Sequence, residues 1–471
     1  MTAHCDLAIV GAGAAGMAAA ATASELGLNT VVLDEQPEPG GQIYRGIERL
    51  AATRPQHLGW LGPDYAAGLE LTRAFRKARI DYLDSAQVWQ VEPEGRLFFR
   101  RNGASGILTA KKVLIAPGAM ERPMPVPGWT LPGVLTCGAA QTLLKANGLA
   151  PNGRFVLAGC GPLLLLLAVQ LTRAGVKPAA ILETTFNRWS ALPHLPGFLA
   201  LRGYFGKGLA MLRELKAAGV VIHKGVTHLA MRGDTQVREI EFACGGEAHC
   251  ERVDLVFLHQ GVVPNGNLAW SINLAHDWNE AQRCFHPRLD TWGRSSVPAI
   301  SVAGDAGGIV GAKGAQAMGR VAALAAAMDL GKLTVDACNA GAWEAHAVLA
   351  KHRGARPFLD ALYRPAQRWI APPDPDTVVC RCEEVSAGEI RRLVTQQNCP
   401  GPNQMKSFVR CGMGPCQGRL CGLTTIELIA ECRRVPVREV GYYRIRPPVK
   451  PVTVGELATL DVATRHDAVG L

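Results

Sequence analysis

The chain has 471 residues, which corresponds to about three domains of ~150 residues, each large enough to bury a core. Hydrophobic residues make up 48%, charged residues 19%, and glycine occurs 52 times, a composition that excludes disordered, collagen-like and coiled-coil chains. The net charge of +10 includes no run of lysines and arginines, so a nucleic-acid partner is not expected. Most of the excess lies in residues 377–450, which hold 12 Lys and Arg against 6 Asp and Glu.

The first residues and the hydropathy pattern bear on where the protein works. No apolar run approaches the roughly 20 residues that span a bilayer. The chain passes from Met1 directly into a strand pattern at Leu7–Val10, without the basic and small-residue features of a signal peptide. We therefore expect a cytoplasmic protein, whose 14 cysteines serve metal binding, chemistry or core packing rather than disulfides.

The first predicted unit is a βαβ dinucleotide-binding fold. A strand at 7–10 leads into a glycine fingerprint, a helix at 17–26 and a strand at 30–33 that ends in an acid. The glycines let a pyrophosphate approach the helix N-terminus, and the acid accepts hydrogen bonds from an adenosine ribose. The predicted cofactor contacts of this unit are Gly11, Gly13, Ala14, Ala15, Gly16, Asp34, Glu35, Gly41 and Gln42.

Two further segments favour FAD over NAD as the cofactor of this unit. Gly40-Gly41-Gln42 follows the acid, and a backbone without side chains can pass close to an isoalloxazine ring there. Gly304-Asp305 ends a late strand at 299–305 and precedes a helix at 315–328. Asp305 can accept from a ribityl hydroxyl, and the helix N-terminus then points at the flavin ring.

A second βαβ unit begins at residue 155 and has a degenerate fingerprint. A strand at 155–158, a helix at 163–173 and a strand at 179–182 surround Gly159-Cys160-Gly161, and Glu183 ends the last strand. Leu164 replaces the third glycine, and Pro162 lacks an N–H at the helix start, so working NAD(P)H turnover is disfavoured. A non-redox adenine nucleotide held by Gly159, Gly161 and Glu183, or an empty site, is favoured instead.

The cysteines near the C-terminus form Cys380-x-Cys382 and Cys411-x4-Cys416-x4-Cys421. Each iron of a [2Fe-2S] cluster needs two thiolates, so ligands come naturally as two pairs, and we predict Cys380, Cys382, Cys416 and Cys421. Cys411 is a fifth candidate that could replace Cys416. A four-cysteine zinc site is the competing interpretation, for which this spacing is unusual. The negative charge of a cluster would be offset by Arg381, Lys406, Arg410 and Arg419.

The repeat of the βαβ units predicts that the second is inserted between two halves of the first. The predicted divisions are a FAD-binding domain at 1–125 and 275–340, an inserted degenerate NAD(P)-like domain at 126–274, a connector at 341–376, a [2Fe-2S] domain at 377–435 and a C-terminal tail at 436–471. Capping boxes at Ser386-x-x-Glu389 and Thr424-x-x-Glu427 predict two helices in the [2Fe-2S] domain. Cys137 and Cys160 have no second cysteine nearby in sequence, so a redox-active disulfide is not expected, and no catalytic side chain is assigned.

These motifs together resemble one family. The segments concerned are 11–16, 34–36, GGQIYR at 40–45, PGWTLPGV at 127–134, GPLLL at 161–165, CRCE at 380–383 and GMGxCQGRxC at 412–421. Over essentially its whole length the chain resembles the alpha subunits of heteromeric dye-linked dehydrogenases. That group includes the A subunit of opine oxidase, the alpha subunits of D-hydroxyproline and proline dehydrogenases, and the B subunit of hydrogen cyanide synthase. The C-terminal part also resembles bacterioferritin-associated ferredoxin, with a wider second cysteine pair.

The resemblance implies an α/β fold with two nested, disulfide-reductase-like dinucleotide-binding domains and a small helical [2Fe-2S] domain like bacterioferritin-associated ferredoxin. It implies a beta subunit of the D-amino-acid-oxidase type, which oxidises a secondary-amine amino acid (hydroxyproline, proline or an opine) to an imine at its own FAD. This chain would receive the electrons and pass them from flavin to cluster. A small ferredoxin-like gamma subunit, FMN at a subunit interface, and ATP or another adenine nucleotide in the second fold are further candidates. The complex is expected in the cytoplasm or at the periphery of the inner membrane.

Two alternatives to this function stay open at the level of sequence. One is a free-standing NAD(P)H-dependent flavin reductase that serves an electron-carrier partner. The other is a non-catalytic scaffold in which the nucleotide and a zinc ion are structural.

Overall fold

The first part of the chain forms most of the first dinucleotide-binding fold, including six of the seven strands of its sheet. The computed structural model describes residues 3–186, 188–199 and 202–460. Residues 1–2 of the predicted FAD-binding domain and residues 461–471 of the predicted C-terminal tail therefore lie outside the described residues. In chain order the elements are β1 (Ala3–Val10), α1 (Ala14–Glu25), β2 (Thr30–Leu33), α2 (Ile47–Thr53), α3 (His57–Leu61), α4 (Pro63–Ala66), α5 (Gly68–Lys77), β3 (Asp81–Leu83), β4 (Gln87–Val91), β5 (Arg96–Arg101), β6 (Ala104–Ile115), β7 (Ala119–Glu121) and β8 (Val134–Thr136).

The second part of the chain forms an inserted fold with its own sheet. Its elements are α6 (Cys137–Asn147), β9 (Phe155–Cys160), α7 (Pro162–Arg173), β10 (Ala180–Glu183), a 3₁₀ helix (Arg188–His194), α8 (Leu195–Leu199), α9 (Arg202–Ala217), β11 (Val221–Lys224), β12 (His228–Arg232), β13 (Glu239–Cys244), β14 (Glu247–Arg252), β15 (Leu255–Gln260) and β16 (Val262–Pro264). The parallel sheet runs in the order β11-β10-β9-β15-β8, and β12, β13 and β14 form a separate antiparallel sheet. β7 and β16 pair where the chain enters and leaves this fold.

The chain then returns to the first sheet. The elements here are α10 (Asn267–Ser271), β17 (His276–Asn279), β18 (Cys284–Pro287), β19 (Ile300–Val302), a 3₁₀ helix (Gly304–Gly307), α11 (Gly311–Asp329) and α12 (Val335–Leu362). β19 pairs in parallel with β6 and completes a seven-stranded sheet whose remaining order is β3-β2-β1-β6-β5-β4. The predicted nesting of one dinucleotide-binding fold within another is therefore confirmed.

The C-terminal region is small and mostly helical. Its elements are α13 (Gln367–Ile370), β20 (Val378–Cys380), β21 (Val385–Ser386), α14 (Ala387–Gln396), α15 (Pro402–Val409), α16 (Gly422–Arg433), α17 (Val437–Val440) and α18 (Val454–Ala458). Buried residues of this region and of β1 belong to one hydrophobic cluster, in which Ala8 and Val10 share a core with Cys380, Met405 and Tyr443. The cysteine-bearing domain is thus packed onto the first sheet rather than tethered beside it.

The predicted strand at 30–33 coincides with β2, and the predicted helix at 163–173 with α7 to within one residue. Ser386 caps α14 by accepting from the Glu389 amide at 3.2 Å, as expected. The second capping box is wrong. The N-cap of α16 is Cys421, so Thr424 lies inside the first turn and the Glu427 carboxylate serves a different contact.

Two further features of the fold were not anticipated. The 28-residue helix α12 runs across the predicted boundary at 340/341, because its cap is Thr334, whose hydroxyl accepts from the Ala337 amide at 3.3 Å. Helix α15 lies between α14 and α16, where no helix was predicted. Among the helices that the structure describes, none has the length and apolar character needed to cross a bilayer.

Candidate functional site

The first glycine fingerprint forms a tight turn between β1 and α1. A Cβ on Gly16 would lie 1.8 Å from the Gly11 carbonyl oxygen, so only glycine allows the helix to sit this close to the strand. Asp34 lies at the end of β2, where its Oδ2 accepts from the Ala12 amide at 2.5 Å and its Oδ1 from the Gln36 amide at 2.7 Å. Burial raises the pKa of Asp34. Two amides therefore hold the predicted ribose-binding carboxylate beside the fingerprint.

The loop at 40–45 closes over this turn. The Gly40 amide donates to the Ala12 carbonyl at 2.8 Å, and a Cβ on Gly41 would lie 2.8 Å from the Gly13 Cα. The Arg45 Nε is buried and has no hydrogen-bond partner within the described chain, and burial lowers the pKa of this guanidinium. A buried donor without an acceptor in the protein is what a ligand oxygen would satisfy.

Gly304 and Asp305 complete the same site from the last strand of the sheet. Gly304, with φ +72°, packs so closely on α1 that a Cβ would lie 2.9 Å from the Ala15 Cβ. The Asp305 Oδ1 accepts from the Val310 and Gly311 amides at 2.8 and 2.9 Å, which fixes the start of α11. The fold thus brings together the predicted fingerprint, acid, loop and late-strand motif, a set that fits FAD.

Gly13 offers a selective test of this site. Its φ is ordinary, and the nearest atom to an added Cβ would be the Gly41 Cα at 3.8 Å, so alanine fits the protein itself. The second fingerprint glycine, however, is the one that lets the backbone approach a pyrophosphate. We expect Gly13→Ala to fold normally and to bind FAD at least about tenfold more weakly, ~1.4 kcal/mol.

FAD release on dilution, followed by fluorescence, measures this change. Gly59→Ala is the matched control, because nothing lies within 4 Å of an added Cβ there. Equal FAD retention in both variants would show that Gly13 faces no ligand.

A buried lysine on α6 joins the loop at 40–45 to the inserted fold. The Lys145 Nζ donates to the Gln42 carbonyl at 3.1 Å and to the Gln141 side chain at 2.8 Å. Gln141 donates in turn to Gln170 on α7 at 2.8 Å. Burial lowers the pKa of Lys145 to about 7. Sequence patterns did not indicate this residue.

The depressed pKa of Lys145 makes stability depend on pH. Between pH 10.5 and 7 the unfolded chain binds a proton that the folded protein does not, so unfolding becomes easier as the pH falls through this window. We expect Lys145→Met to remove this dependence, so that its stability relative to the parent rises by on the order of 2 kcal/mol between pH 9.5 and pH 7.

Urea unfolding at the two pH values measures the difference. The exposed Lys77, at the end of α5, provides the control variant Lys77→Met, whose stability relative to the parent should not change with pH. A flat difference for Lys145→Met as well would mean that Lys145 titrates normally.

The second fingerprint is crowded by a histidine. His259 is the penultimate residue of β15 and lies opposite Gly159, and a Cβ on Gly161 would lie 3.1 Å from the His259 Nε2. The His259 Nδ1 is 2.7 Å from the Glu121 Oε1, and the Glu121 Oε2 accepts from the Gly138 amide at 2.7 Å. Both side chains are largely buried. The imidazole therefore occupies the crevice where the sheet reverses its strand order, which is the usual place for a dinucleotide.

Glu183, the remaining predicted contact of the second fold, also lies beside the second fingerprint. Glu183 ends β10 next to Gly159, and Leu164 is buried in the first turn of α7. Cys160 donates to the Gln260 side chain at 3.2 Å and, more weakly, to the Tyr363 carbonyl at 3.5 Å. The His-Gln pair that ends an otherwise apolar strand, β15, was the one available sequence signal for this altered crevice.

No reactive disulfide is built into the described fold. All fourteen cysteines are free. Burial raises the pKa of Cys160 to about 12 and raises that of Cys137 well above its ordinary value, so both thiols stay protonated near neutral pH.

The C-terminal cysteines gather into two neighbouring groups. The Sγ atoms of Cys380, Cys411 and Cys421 all lie within 4.8 Å of one another, and all three side chains are buried. Cys382 and Cys416 are partly exposed and contact each other, with a Cβ on Gly414 placed 3.1 Å from the Cys382 Sγ. The thiols therefore group across the two sequence motifs, because Cys380 ends β20 while Cys382 lies in the following turn.

The inner three thiols form hydrogen bonds with one another that shift their pKa values. Hydrogen bonds from Cys411 and Cys421 lower the pKa of Cys380 to about 2, and the same contact with Cys380 raises the pKa of Cys411 to about 11. The three thiols are thus close enough to interact strongly, and a metal bound there would displace their protons. Among the described residues this is the one group of metal-binding side chains with such spacing. A set of five thiols on two neighbouring loops, one after β20 and one between α15 and α16, fits an iron-sulfur cluster and also leaves zinc to be tested.

Cations lie on the loops that carry the thiols and at the contact of the C-terminal region with the first fold. Arg410 pairs with Glu383 at 3.0 Å, and Arg381 lies 5.2 Å from the ring centre of Trp129. Lys450 pairs with Glu35 at 2.7 Å. Burial opposes ionisation of Glu35, yet Lys450, with a smaller contribution from Arg419, holds its pKa below the ordinary value. The C-terminal region therefore abuts the end of β2, next to the predicted ribose-binding acid Asp34.

Two family models match the chain, one over the two dinucleotide-binding folds and one over the C-terminal region. The model of the pyridine nucleotide-disulphide oxidoreductase family matches residues 5–319, and that of the sarcosine oxidase A3 domain matches residues 377–460. The chain is 46% identical over 470 residues to the A subunit of opine oxidase from Rhizobium meliloti, covering 98% of this chain and 88% of that protein. It is 33% identical over 469 residues to hydrogen cyanide synthase subunit HcnB of Pseudomonas aeruginosa, covering 94% and 96%.

A solved structure shows the same fold over nearly the whole chain. The crystal structure of L-proline dehydrogenase from P. horikoshii matches with a TM-score of 0.72 and 17% identity, over 97% of this chain and 80% of that one. At this identity the similarity concerns the fold alone.

Proposed function

Because the chain belongs to the pyridine nucleotide-disulphide oxidoreductase family and to the family of the opine oxidase A subunits, we propose that it is the electron-transferring flavo-iron-sulfur subunit of a heteromeric dehydrogenase. It is an oxidoreductase subunit with a fold that implies FAD. The observation that carries the iron-sulfur part is the group of three buried thiols within 4.8 Å, in a domain that shares its core with the flavin fold.

We propose a division of labour between this chain and a partner. A D-amino-acid-oxidase-like beta subunit removes two electrons and two protons from the C–N bond of a secondary-amine amino acid, hydroxyproline, proline or an opine, and leaves an imine. The support is that the similar proteins from Rhizobium meliloti and Pseudomonas aeruginosa are named as subunits. A small ferredoxin-like gamma subunit, and action in the cytoplasm or at the inner-membrane periphery, belong to the same proposal.

The residues of this chain have defined tasks in that scheme. FAD, when bound, accepts electrons in pairs and releases them singly, while a [2Fe-2S] cluster takes one at a time. The fingerprint at 11–16 would cradle the pyrophosphate, Asp34 the adenosine ribose and Asp305 the ribityl chain. Cys380, Cys382, Cys416 and Cys421 are the proposed cluster ligands.

Entry of electrons from NAD(P)H is disfavoured by the second fold. Leu164 fills the place of the third glycine, and the His259 ring lies against Gly161 where a dinucleotide would pass. A non-redox adenine nucleotide such as ATP remains the proposed occupant of this fold, with FMN at a subunit interface as a further proposed cofactor. Acid extraction of the complex and chromatography of the released nucleotides identify both.

The electron source is the decisive test. The chain is co-expressed with its D-amino-acid-oxidase-like partner and mixed anaerobically with hydroxyproline, proline, octopine, NADH or NADPH. The proposal expects one amino acid to bleach the flavin and then to produce the electron paramagnetic resonance signal of a reduced [2Fe-2S] cluster. Rapid bleaching by NADH or NADPH, with none by the amino acids, would favour the flavin reductase instead.

The metal content is the second test. The proposal expects two irons and two acid-labile sulfides per chain after anaerobic purification. One zinc and no sulfide would support the non-catalytic scaffold, and would overturn electron transfer through this domain.

A further inference from the structure

The C-terminal tail contributes a buried tyrosine to the cysteine group. Tyr443 is fully buried, and its hydroxyl donates to the Cys411 Sγ at 3.3 Å. The Cys421 Sγ lies 4.0 Å from the same hydroxyl, and the Thr425 hydroxyl lies 3.6 Å from the Cys411 Sγ. Two hydroxyl groups therefore converge on the thiol that stands between the predicted ligands Cys380 and Cys421.

The loop that carries the cysteines is shaped around this tyrosine. A Cβ on Gly412 would lie 2.5 Å from the Tyr443 Cζ, and a Cβ on Gly418 would lie 2.7 Å from its Cδ2. Both glycines have positive φ, of +86° and +75°. The backbone on both sides of Cys416 thus runs in direct contact with the ring, so the position of the ring and the position of the loop determine each other.

Helix α15 holds the tail in place on both sides of the ring. The Asn403 side chain donates to the Tyr442 carbonyl at 3.1 Å and accepts from the Arg444 amide at 2.8 Å. The Lys406 Nζ donates to the Arg444 carbonyl at 3.1 Å and lies 4.8 Å from the centre of the Tyr443 ring. These contacts give the hydroxyl a defined direction toward the thiols rather than a mobile one.

The proposed set of four ligands leaves Cys411 as the fifth thiol, with its Sγ within 4.8 Å of those of Cys380 and Cys421. Cys380 with Cys421, and Cys382 with Cys416, make two pairs, which is the number that two irons require. Cys411 lies on the inner side of this arrangement and is already in contact with two hydroxyl groups. It is thus placed as a neighbour of the ligands.

We infer that Tyr443 and Cys411 are positioning residues of the cluster, which hydrogen-bond toward the ligand sulfurs of Cys380 and Cys421 and raise the reduction potential of the cluster. The physical reason is that reduction adds negative charge to the sulfurs, and hydrogen bonds to them stabilise the reduced form. This inference rests on the proposed function, since it needs the cluster to be present. It assigns a role to a tail for which the sequence offered none.

The test compares single variants of the full complex by iron and sulfide content, electron paramagnetic resonance and redox titration. Tyr443→Phe keeps the ring under Gly412 and Gly418 and removes only the hydroxyl. We expect a full cluster whose reduction equilibrium shifts toward the oxidised form by about tenfold, equivalent to about 59 mV for one electron. Cys411→Ala should likewise retain iron and sulfide and lower the potential, while Cys411→Ser, which keeps a donor, should stay near the parent.

Tyr442→Phe is the matched control. Its ring stacks on Trp270 at 5.1 Å between centres, and its hydroxyl faces the Gly418 carbonyl, so the cluster potential should not move. An unchanged potential in Tyr443→Phe, or loss of iron from Cys411→Ala with retention in Cys416→Ala, would overturn the inference. A parent complex without iron and sulfide would instead contradict the proposed function itself, so the two failures are distinguishable.

Discussion

Cys421→Ala is expected to abolish the proposed iron-sulfur cluster and to leave the flavin in place. Cys421 is the N-cap of α16, is fully buried among the inner thiols and is one of the four proposed ligands. A cluster with three thiolates is left with an open iron coordination site in a buried position. We expect loss of more than nine-tenths of the iron and sulfide and of electron delivery to a one-electron acceptor.

Cys432→Ser is the control for this prediction. Cys432 lies on the same helix, is partly exposed, and stands outside the group of close thiols. It should keep the cluster, the visible spectrum and acceptor reduction. Normal iron content in Cys421→Ala would show that the inner thiols do not bind metal, whereas loss of flavin as well would indicate misfolding.

Glu427→Ala is expected to lower the free energy of unfolding by about 3–5 kcal/mol. The Glu427 carboxylate, 1% exposed, holds Arg283 through two hydrogen bonds, one of them 2.9 Å between Nε and Oε1. Arg122 is buried nearby, and burial lowers its pKa. Removal of the carboxylate leaves Arg283 with only the exposed Glu280, 2.9 Å away, as its counter-charge, at the junction of the cysteine domain and the β17–β18 hairpin.

Glu431→Ala on the same helix provides the comparison. Glu431 pairs with Arg391 at 3.0 Å, but its side chain is 44% exposed, so its loss should cost less than about 1 kcal/mol. Urea unfolding followed by fluorescence and by the visible absorbance of the cofactors measures both variants. Similar losses in the two would mean that the Arg283 pair is screened by water. Replacing Arg283 and Glu427 together with Met and Leu should recover most of the stability.

The buried side chains of Lys145 and His259 both connect the inserted fold to the first fold. Lys145 joins the loop at 40–45 to α7. His259 joins the second fingerprint to Glu121 and the start of α6. Both contacts cross from one fold to the other. Buried polar contacts therefore join the inserted fold to the first fold at both places.

Local chemistry was readable from the sequence alone. The fingerprint at 11–16, the acid Asp34 and the Gly304-Asp305 turn follow from residue type and spacing within single βα units, and the structure places all of them around α1. The five cysteines were likewise recognisable, because thiols at short spacing near cations have few other uses. The nesting of the two folds followed from the repeat of the same pattern.

Contacts between distant parts of the chain were decided only by the tertiary structure. Thr424-x-x-Glu427 has the pattern of a capping box, yet the partner of Glu427 is Arg283, 144 residues away. The thiols group across their two motifs, and Tyr443 reaches Cys411 over 32 residues, because a turn and a packed tail set their positions. Spacing along the chain determines what can happen within one or two elements, whereas burial of a shared core determines which elements meet.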